Sequence, residues 1–223
     1  MPNPVNVVIP TKSNFTGLAE LLGDLSLDRA VGTICIVADG QTAFDALPDP
    51  PEHIITITVP EGVGIQHMWN RGIEAVGRDA HIAFLNDDVR LSPECLSSLA
   101  NSLDNDPIIG IICPNYSTVE MVEDRQVFNT CGSRYDGTGG LAGFAMMLRS
   151  DLAKVYSFDE NLTWWYGDDD ILMWVTRTMG MHAVISHTAH CQHADSVTIR
   201  TDPPADFGRL VAEDREYFRA KWL

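Results

Sequence analysis

The sequence predicts an α/β fold, a Rossmann-like and mostly parallel sheet flanked by helices, followed by a less regular second half. Three observations carry that expectation. Over roughly the first hundred residues, short apolar β-branched runs alternate with segments of helical period, the pattern of a doubly wound sheet. The runs are nearly continuous in apolar residues, as strands covered on both faces must be. The fourth of them, Ile82-Ala83-Phe84-Leu85, runs straight into Asn86-Asp87-Asp88, and the carboxyl ends of parallel strands are where such folds bind ligands.

Taken in order, Val5 to Ile9 is a buried strand closed by Pro10 and Thr11. Phe15 to Leu27 carries Leu18, Leu21, Leu22 and Leu25 at a helical period. Thr33 to Val37 is the second strand and ends in the turn signal Ala38-Asp39-Gly40. His53 to Val59 is the third, and Ile65 to Val76 is a helix with Met68, Trp69, Ile73 and Val76 near one face. His81 to Leu85 is the fourth strand, after which Ser92 and Pro93 read as the N-cap and first position of another helix.

Beyond it, Ile108 to Cys113 is a strand stopped by Pro114, and Val119 to Phe128 is a loop or edge strand. Asp136 to Gly140 is a flexible loop before a strand within Leu141 to Leu148, and Ser150 to Val155 is a short helix. Ile171 to Met179 is helical up to Gly180, and Ala183 to Ile185 is a short strand. Asp206 to Trp222 is an amphipathic helix that buries Leu210, Val211, Tyr217, Phe218 and Trp222. No repeat or linker interrupts the chain, so residues 1–223 read as one domain.

The formal charge of −16 excludes non-specific nucleic-acid binding, which needs phosphate-neutralising Lys and Arg. It also means that an anionic substrate would need a local cation, and a divalent metal supplies one. No apolar run is long enough to span a membrane, and the N-terminus lacks the basic and apolar pattern of a signal peptide. The five cysteines are scattered and odd in number, small buried hydrophobes rather than a disulfide framework. A cytoplasmic protein is expected.

Three constellations carry chemistry. Asn86, Asp87 and Asp88 can offer oxygen ligands to Mg²⁺ or Mn²⁺, although Asn and Asp are also turn formers and caps. Asp168, Asp169 and Asp170 follow Trp164, Trp165 and Tyr166. Acids there are either stabilised by a helix dipole or poised as a base beside aromatic faces that pack on sugar rings; the dipole would keep such a base ionised. His187, His190, Cys191 and His193 read as a zinc site or as the source of one imidazole ligand for the metal of Asp88, although a lone histidine is more often structural.

Together these residues resemble the family 2 glycosyltransferases of the GT-A fold over almost the whole chain. Val7-Val8-Ile9-Pro10-Thr11 is similar to the family's opening strand, and Val37-Ala38-Asp39-Gly40 to its second, which implies nucleoside contacts at Pro10, Thr11 and Asp39. Asn70-Arg71-Gly72-Ile73 matches the family's Asn-x-Gly-Ile and places Asn70 and Arg71 with the nucleotide. Leu85-Asn86-Asp87-Asp88 resembles Asp-x-Asp with Asn first, which implies that Asp88 ligates the metal and that Asn86 and Asp87 face the donor. Gly167-Asp168-Asp169-Asp170-Ile171 resembles Glu-Asp-x-Asp-Leu, with Asp168, or Asp169 after a one-residue shift, as base. His193 falls at the family's late metal-ligating histidine, and Phe218-Arg219-Ala220-Lys221-Trp222 looks like its Phe-x-x-Lys-Trp ending.

The resemblance implies a nucleotide-binding half to about residue 113 and an acceptor-binding half beyond it, with acceptor contacts at Trp164, Trp165 and Tyr166. It implies inverting transfer from a UDP, dTDP or GDP sugar to a glycan, lipid or protein hydroxyl, with Mn²⁺ or Mg²⁺. Two rivals stand beside it. A sugar nucleotidyltransferase would want a Gly-rich basic loop after the first strand, where Pro10-Thr11-Lys12-Ser13-Asn14 has no Gly. A non-enzymatic zinc- or carbohydrate-binding module would be built on the histidines and tryptophans.

Overall fold

Side chains alternate across a strand, so a run that is apolar at every position must be covered on both faces. In the computed structural model this is what the first strands do. The structure describes residues 3–47, 54–118, 120–131, 140–194, 200, 201, 203 and 205–223. His53, Val119 and residues 136–139, expected in the third strand, an edge segment and a loop, lie outside them.

The first half is β1 (Val5–Thr11), α1 (Phe15–Leu25), β2 (Val31–Asp39), α2 (Gln41–Asp45), β3 (Ile54–Val59), α3 (Ile65–Val76) and β4 (His81–Leu85). It continues through β5 (Val89–Leu91), α4 (Cys95–Asn105) and β6 (Ile109–Asn115). The second half is β7 (Arg125–Val127), β8 (Ala145–Leu148), α5 (Ser150–Ala153) and α6 (Gly167–Met173). A π-helical turn (Trp174–Thr178), β9 (His182–His193) and α7 (Phe207–Trp222) complete it. The chain is a mixed α/β domain whose central sheet runs β3-β2-β1-β4-β8-β6-β9-β5, with β7 on β9.

Parallel pairing joins β3, β2, β1 and β4, and again β6 and β9. Strand β8 is inserted antiparallel between β4 and β6. Val7 and Ile9 of β1, Ala83 and Leu85 of β4, and Met147 of β8 face Leu18, Leu21, Leu99 and Leu103 of α1 and α4. Val8, Phe84, Met146 and Leu148 face Trp69 and Ile73 of α3 and Ile171 of α6 on the other side. The strands therefore bury both faces, and their polar ends collect at one edge. Chain order reverses between β1 and β4, and that switch opens the crevice in which α/β folds hold ligands.

Several expectations are corrected. Ser92 does not cap α4, which begins at Cys95 with Glu94 at the cap position and no side-chain cap. The unforeseen β5 pins Ser92 to β9, where its N–H donates to the His190 carbonyl at 2.9 Å and its Oγ accepts from the His190 N–H at 3.2 Å. Pro114 does not stop β6; it sits at a register shift between Cys113 and Asn115, where a missing N–H costs no regular ladder bond. The strand after Gly180 is not three residues long but runs from His182 to His193, so the histidine cluster is part of a strand.

Helix α7 also differs from its expected face. Phe218 is buried, but Tyr217 is exposed and Leu210, Val211 and Trp222 are half-buried. The anchor is polar: Asp214, 2% exposed, accepts from the backbone N–H groups of Thr163 (3.0 Å), Trp164 (2.9 Å) and Trp165 (2.8 Å). We expect Asp214→Ala to destabilise the fold by about 3 kcal/mol, because three partly buried backbone donors lose one charged, buried acceptor. Urea melts of the two proteins check it; equal midpoints would show that α7 is held by other contacts.

Candidate active site

The end of β4 divides the two carboxylates. Asp87 turns toward β1, where Thr11 Oγ1 donates to its Oδ2 at 2.7 Å and Asn14 Nδ2 donates to its backbone carbonyl at 3.0 Å. The N-terminus of α1 comes so close that a Cβ on Gly17 would lie 2.4 Å from that carbonyl oxygen. Burial pushes the Asp87 carboxyl up to about 6; the Thr11 bond opposes the rise and the charge of Asp88 adds to it. Asp87 therefore ties the first strand to the fourth.

Asp88 faces β9. Its Oδ1 lies 3.1 Å from His193 Nε2, with the two side chains 3% and 13% exposed. Both atoms are buried and their contact lacks hydrogen-bond geometry. Strand pairing fixes the approach, since Val89 is in register with His193 and the Ala194 N–H donates to the Asp88 carbonyl at 3.1 Å. The imidazole lies flat on Phe144, with ring centroids 4.0 Å apart and planes 8° from parallel. Phe144 is itself held where its carbonyl accepts from the Asn86 N–H at 2.8 Å.

Asp88 lines the cleft and His193 lies buried behind it, and a carboxylate oxygen and an imidazole nitrogen so close together are a suitable donor pair for Mn²⁺ or Mg²⁺. Such ions take one or two protein ligands and fill their remaining positions with phosphate and water. No group of three or more His, Cys, Asp or Glu is placed to hold an ion among the described residues. This corrects the zinc reading. His187 Nδ1 instead meets Asp124 Oδ1 at 2.7 Å, His190 is exposed, and Cys191 is buried in the core against α4. Along an extended strand, at roughly 3.3 Å per residue, His187 and His193 stand about 20 Å apart, and His190 faces away from Cys191, so the four do not converge.

Across the cleft, Trp164, Trp165 and Tyr166 lead into α6. Tyr166 takes a left-handed conformation, φ 62°, which turns the chain from the aromatic run into the helix. Its ring stacks on Phe218 at 5.2 Å. Asp168 follows in the first turn, packed so closely on the 141–144 segment that a Cβ on Gly143 would lie 2.5 Å from its Oδ2. Burial first, and the charge of Asp169 second, push the Asp168 carboxyl up to about 7. The dipole of this seven-residue helix does not keep it at an ordinary carboxylate value, as the sequence suggested; desolvation prevails.

The three acids diverge. Asp169 Oδ1 accepts from Thr130 Oγ1 at 2.9 Å. Asp170, 2% exposed, accepts from Trp222 Nε1 at 2.7 Å and meets Lys221 Nζ at 2.7 Å, so it holds α7 in place. We expect Gly143→Ala to displace the Asp168 side chain and to destabilise the fold by about 1–3 kcal/mol, since the added methyl overpacks a buried contact. Equal midpoints of the two proteins in urea melts would contradict it.

A cleft of about 860 Å³ joins the two ends and is lined by Pro10, Thr11, Asp39, Asn86, Asp87 and Asp88 on one side. Trp164, Trp165, Tyr166, Asp168 and Asp169 line the other. Asp39 Oδ1 accepts from the Gly62 N–H at 2.7 Å, which orients its carboxylate. Asn70 and Arg71 are not brought to this cleft. Asn70 Nδ2 donates to the Phe158 carbonyl at 2.9 Å and to Glu160 Oε1 at 2.8 Å, so it fastens α3 to the 158–160 loop. Arg71 is exposed and pairs with Glu74.

Sequence reasoning missed Gln66, Gly143, Phe144, Arg215 and Arg219, all of which line the cleft. Gln66 has a visible signal, a polar residue on the apolar face of α3, where it is 1% exposed and its Nε2 donates to the Trp165 carbonyl at 3.3 Å. The others come from segments whose approach to the site only the tertiary fold decides.

The sequence model of glycosyl transferase family 2 matches residues 7–155. No curated protein sequence matches the chain. Among solved structures, GalNAc-T7 with UDP, GalNAc and Mn²⁺ superposes with a TM-score of 0.65 at 10% identity, covering 86% of this chain and 44% of that one. The mannosyltransferase PcManGT from Pyrobaculum calidifontis, in complex with GDP-Man and Mn²⁺, gives 0.62 at 15% identity, covering 87% and 57%. TarS 1–349 of S. aureus in complex with UDP gives 0.59 at 12% identity, covering 96% and 70%. The chain thus spans about half the length of the first two.

Proposed function

The chain belongs to glycosyl transferase family 2, and from that premise we propose that it is an inverting transferase moving a sugar from a nucleoside diphosphate to an acceptor hydroxyl. The observation that carries the reading is the division of the cleft. Asp88 stands at one end with His193 buried against it, and an aromatic wall bearing a carboxylate with a raised pKa, Asp168, stands at the other. Family membership decides against the nucleotidyltransferase and the non-enzymatic module.

Asp88 and His193 would hold Mn²⁺ or Mg²⁺, which when bound supplies charge that offsets the growing charge on the leaving diphosphate. The solved relatives containing UDP or GDP-Man together with Mn²⁺ support this assignment. Pro10, Thr11 and Asp39 line the end of the cleft assigned to the nucleoside. Trp164, Trp165 and Tyr166 receive the acceptor sugar, their rings packing on its apolar face.

The Asp168 carboxylate takes the proton of the acceptor hydroxyl. The oxygen attacks the anomeric carbon as the bond to the diphosphate oxygen breaks, and the nucleoside diphosphate leaves with that electron pair. Displacement from the face opposite the leaving group inverts the anomeric configuration. A pKa near 7 suits this task, because about half of the group is ionised at neutral pH and that form is basic enough to accept a proton. Asp169, hydrogen-bonded to Thr130, keeps a second negative charge beside it.

Incubation with UDP, dTDP and GDP sugars and Mn²⁺ tests the reading. Slow release of one nucleoside diphosphate, with water as acceptor, is the expected result. No release from any of them, at a protein concentration comparable to that of the sugar nucleotide, would count against transferase chemistry at this cleft.

A further inference from the structure

We propose that Arg215 and Arg219, on the acceptor-side lip of the cleft, bind an anionic group of the acceptor, a carboxylate or phosphate carried by a sugar chain. This rests on the transferase reading above and names the acceptor's chemical class. The two residues are four apart on α7 and so lie on one face of the helix, and both line the cleft. That face is fixed against the aromatic wall: Arg215 Nε donates to Tyr166 Oη at 3.0 Å and Phe218 stacks on the Tyr166 ring. The arginines therefore belong to the side of Trp164 to Tyr166, not to the side of Asp88.

The charge context makes Arg219 unusual. The chain carries 31 acids against 15 basic residues, and the other basic side chains of α7 are engaged. Arg209 pairs with Glu213 at 2.7 Å, and Lys221 meets Asp159 at 2.8 Å and Asp170 at 2.7 Å. Arg219 is exposed at the cleft and its guanidinium meets no carboxylate among the described residues. Asp39, Asp87, Asp88, Asp168 and Asp169 all line the same cleft and would repel an anionic chain. A pair of guanidinium groups at the lip offsets that repulsion and grips carboxylate or phosphate with directed N–H bonds, whereas a neutral acceptor would gain nothing from it. Trp165, 41% exposed and lining the same cleft, offers the ring face on which the sugar bearing that group can rest.

The test is direct binding to the intact chain, without nucleotide, at about 50 mM salt so that exposed charges are not fully screened. Three probes are titrated by calorimetry: a glucuronate-terminated oligosaccharide, its carboxyl-reduced counterpart, and a short poly(glycerol phosphate). The expected result is that one anionic probe binds at least about tenfold more tightly than the reduced sugar, and that Arg219→Gln and Arg215→Gln each remove about that factor. Binding of UDP or GDP with Mn²⁺ stays unchanged in Arg219→Gln, whose helix propensity is close to wild type. The two anionic probes distinguish carboxylate from phosphate.

Equal binding of charged and neutral probes, or unchanged anion binding in Arg219→Gln, would overturn the assignment. A loss of nucleoside diphosphate affinity in Arg219→Gln would give the arginine to the donor instead, and also overturn it. Wild-type protein that binds no nucleoside diphosphate contradicts the transferase reading, while the comparison of charged and reduced probes still decides this one.

Discussion

Asp168→Asn should lower transfer by at least about 10³-fold while leaving nucleoside diphosphate affinity within a factor of about two. The amide keeps the shape that Gly143 leaves room for, so the first turn of α6 can form as before. It cannot take a proton from the acceptor hydroxyl, and that is the whole of the expected loss. The same assignment fixes the pH dependence. Burial and the Asp169 charge favour the protonated form of Asp168, raising its pKa to about 7. A protonated base accepts nothing, so kcat should rise about tenfold per pH unit below that point and level off above it. A flat profile from pH 5 to 8, or full activity in Asp168→Asn, would move the base to Asp169, where the Asn variant makes the parallel test.

The second large effect belongs to the opposite end of the cleft. Asp88→Asn should lower metal-dependent turnover by at least about 100-fold, because an amide oxygen carries no net charge with which to hold a divalent ion near a diphosphate. EDTA should abolish activity in the wild type, and Mn²⁺ or Mg²⁺ should restore it. His193→Ala should show a smaller loss in the same direction, since the carboxylate supplies the charge and the imidazole one neutral donor. Wild-type turnover that survives EDTA would remove the role given to Asp88 and His193 together.

Much of the first half was legible because its signals are local. Ile65–Val76 and His81–Leu85 have the expected bounds, for apolar period and a bounding Gly or polar pair determine them without long-range help. The acids at the end of β4 were found for the same reason: they interrupt a buried run. Strand β5 was not legible, since three residues carry no period and Val89 to Leu91 pair only because β9 runs past them. The length of β9 was hidden by its own histidines, which break the apolar pattern while the ladder continues. Asn70 was misread because an amide inside a helix looks like a ligand contact, whereas here it satisfies backbone groups of the 158–160 loop. Arg215 and Arg219 follow from how α7 docks, and that docking rests on Asp214, a buried acid among exposed neighbours that no local pattern sets apart.

The central claim is that this cleft binds a nucleoside diphosphate through a metal held at Asp88 and His193. Titration calorimetry of UDP, dTDP and GDP, with Mn²⁺ and with EDTA, measures it most directly. The account predicts that one of the three binds with Mn²⁺ and weakens at least about tenfold in EDTA, and that Asp88→Asn shows the weak affinity under both conditions. Binding of equal strength with and without metal, or no binding of any of the three, would contradict it.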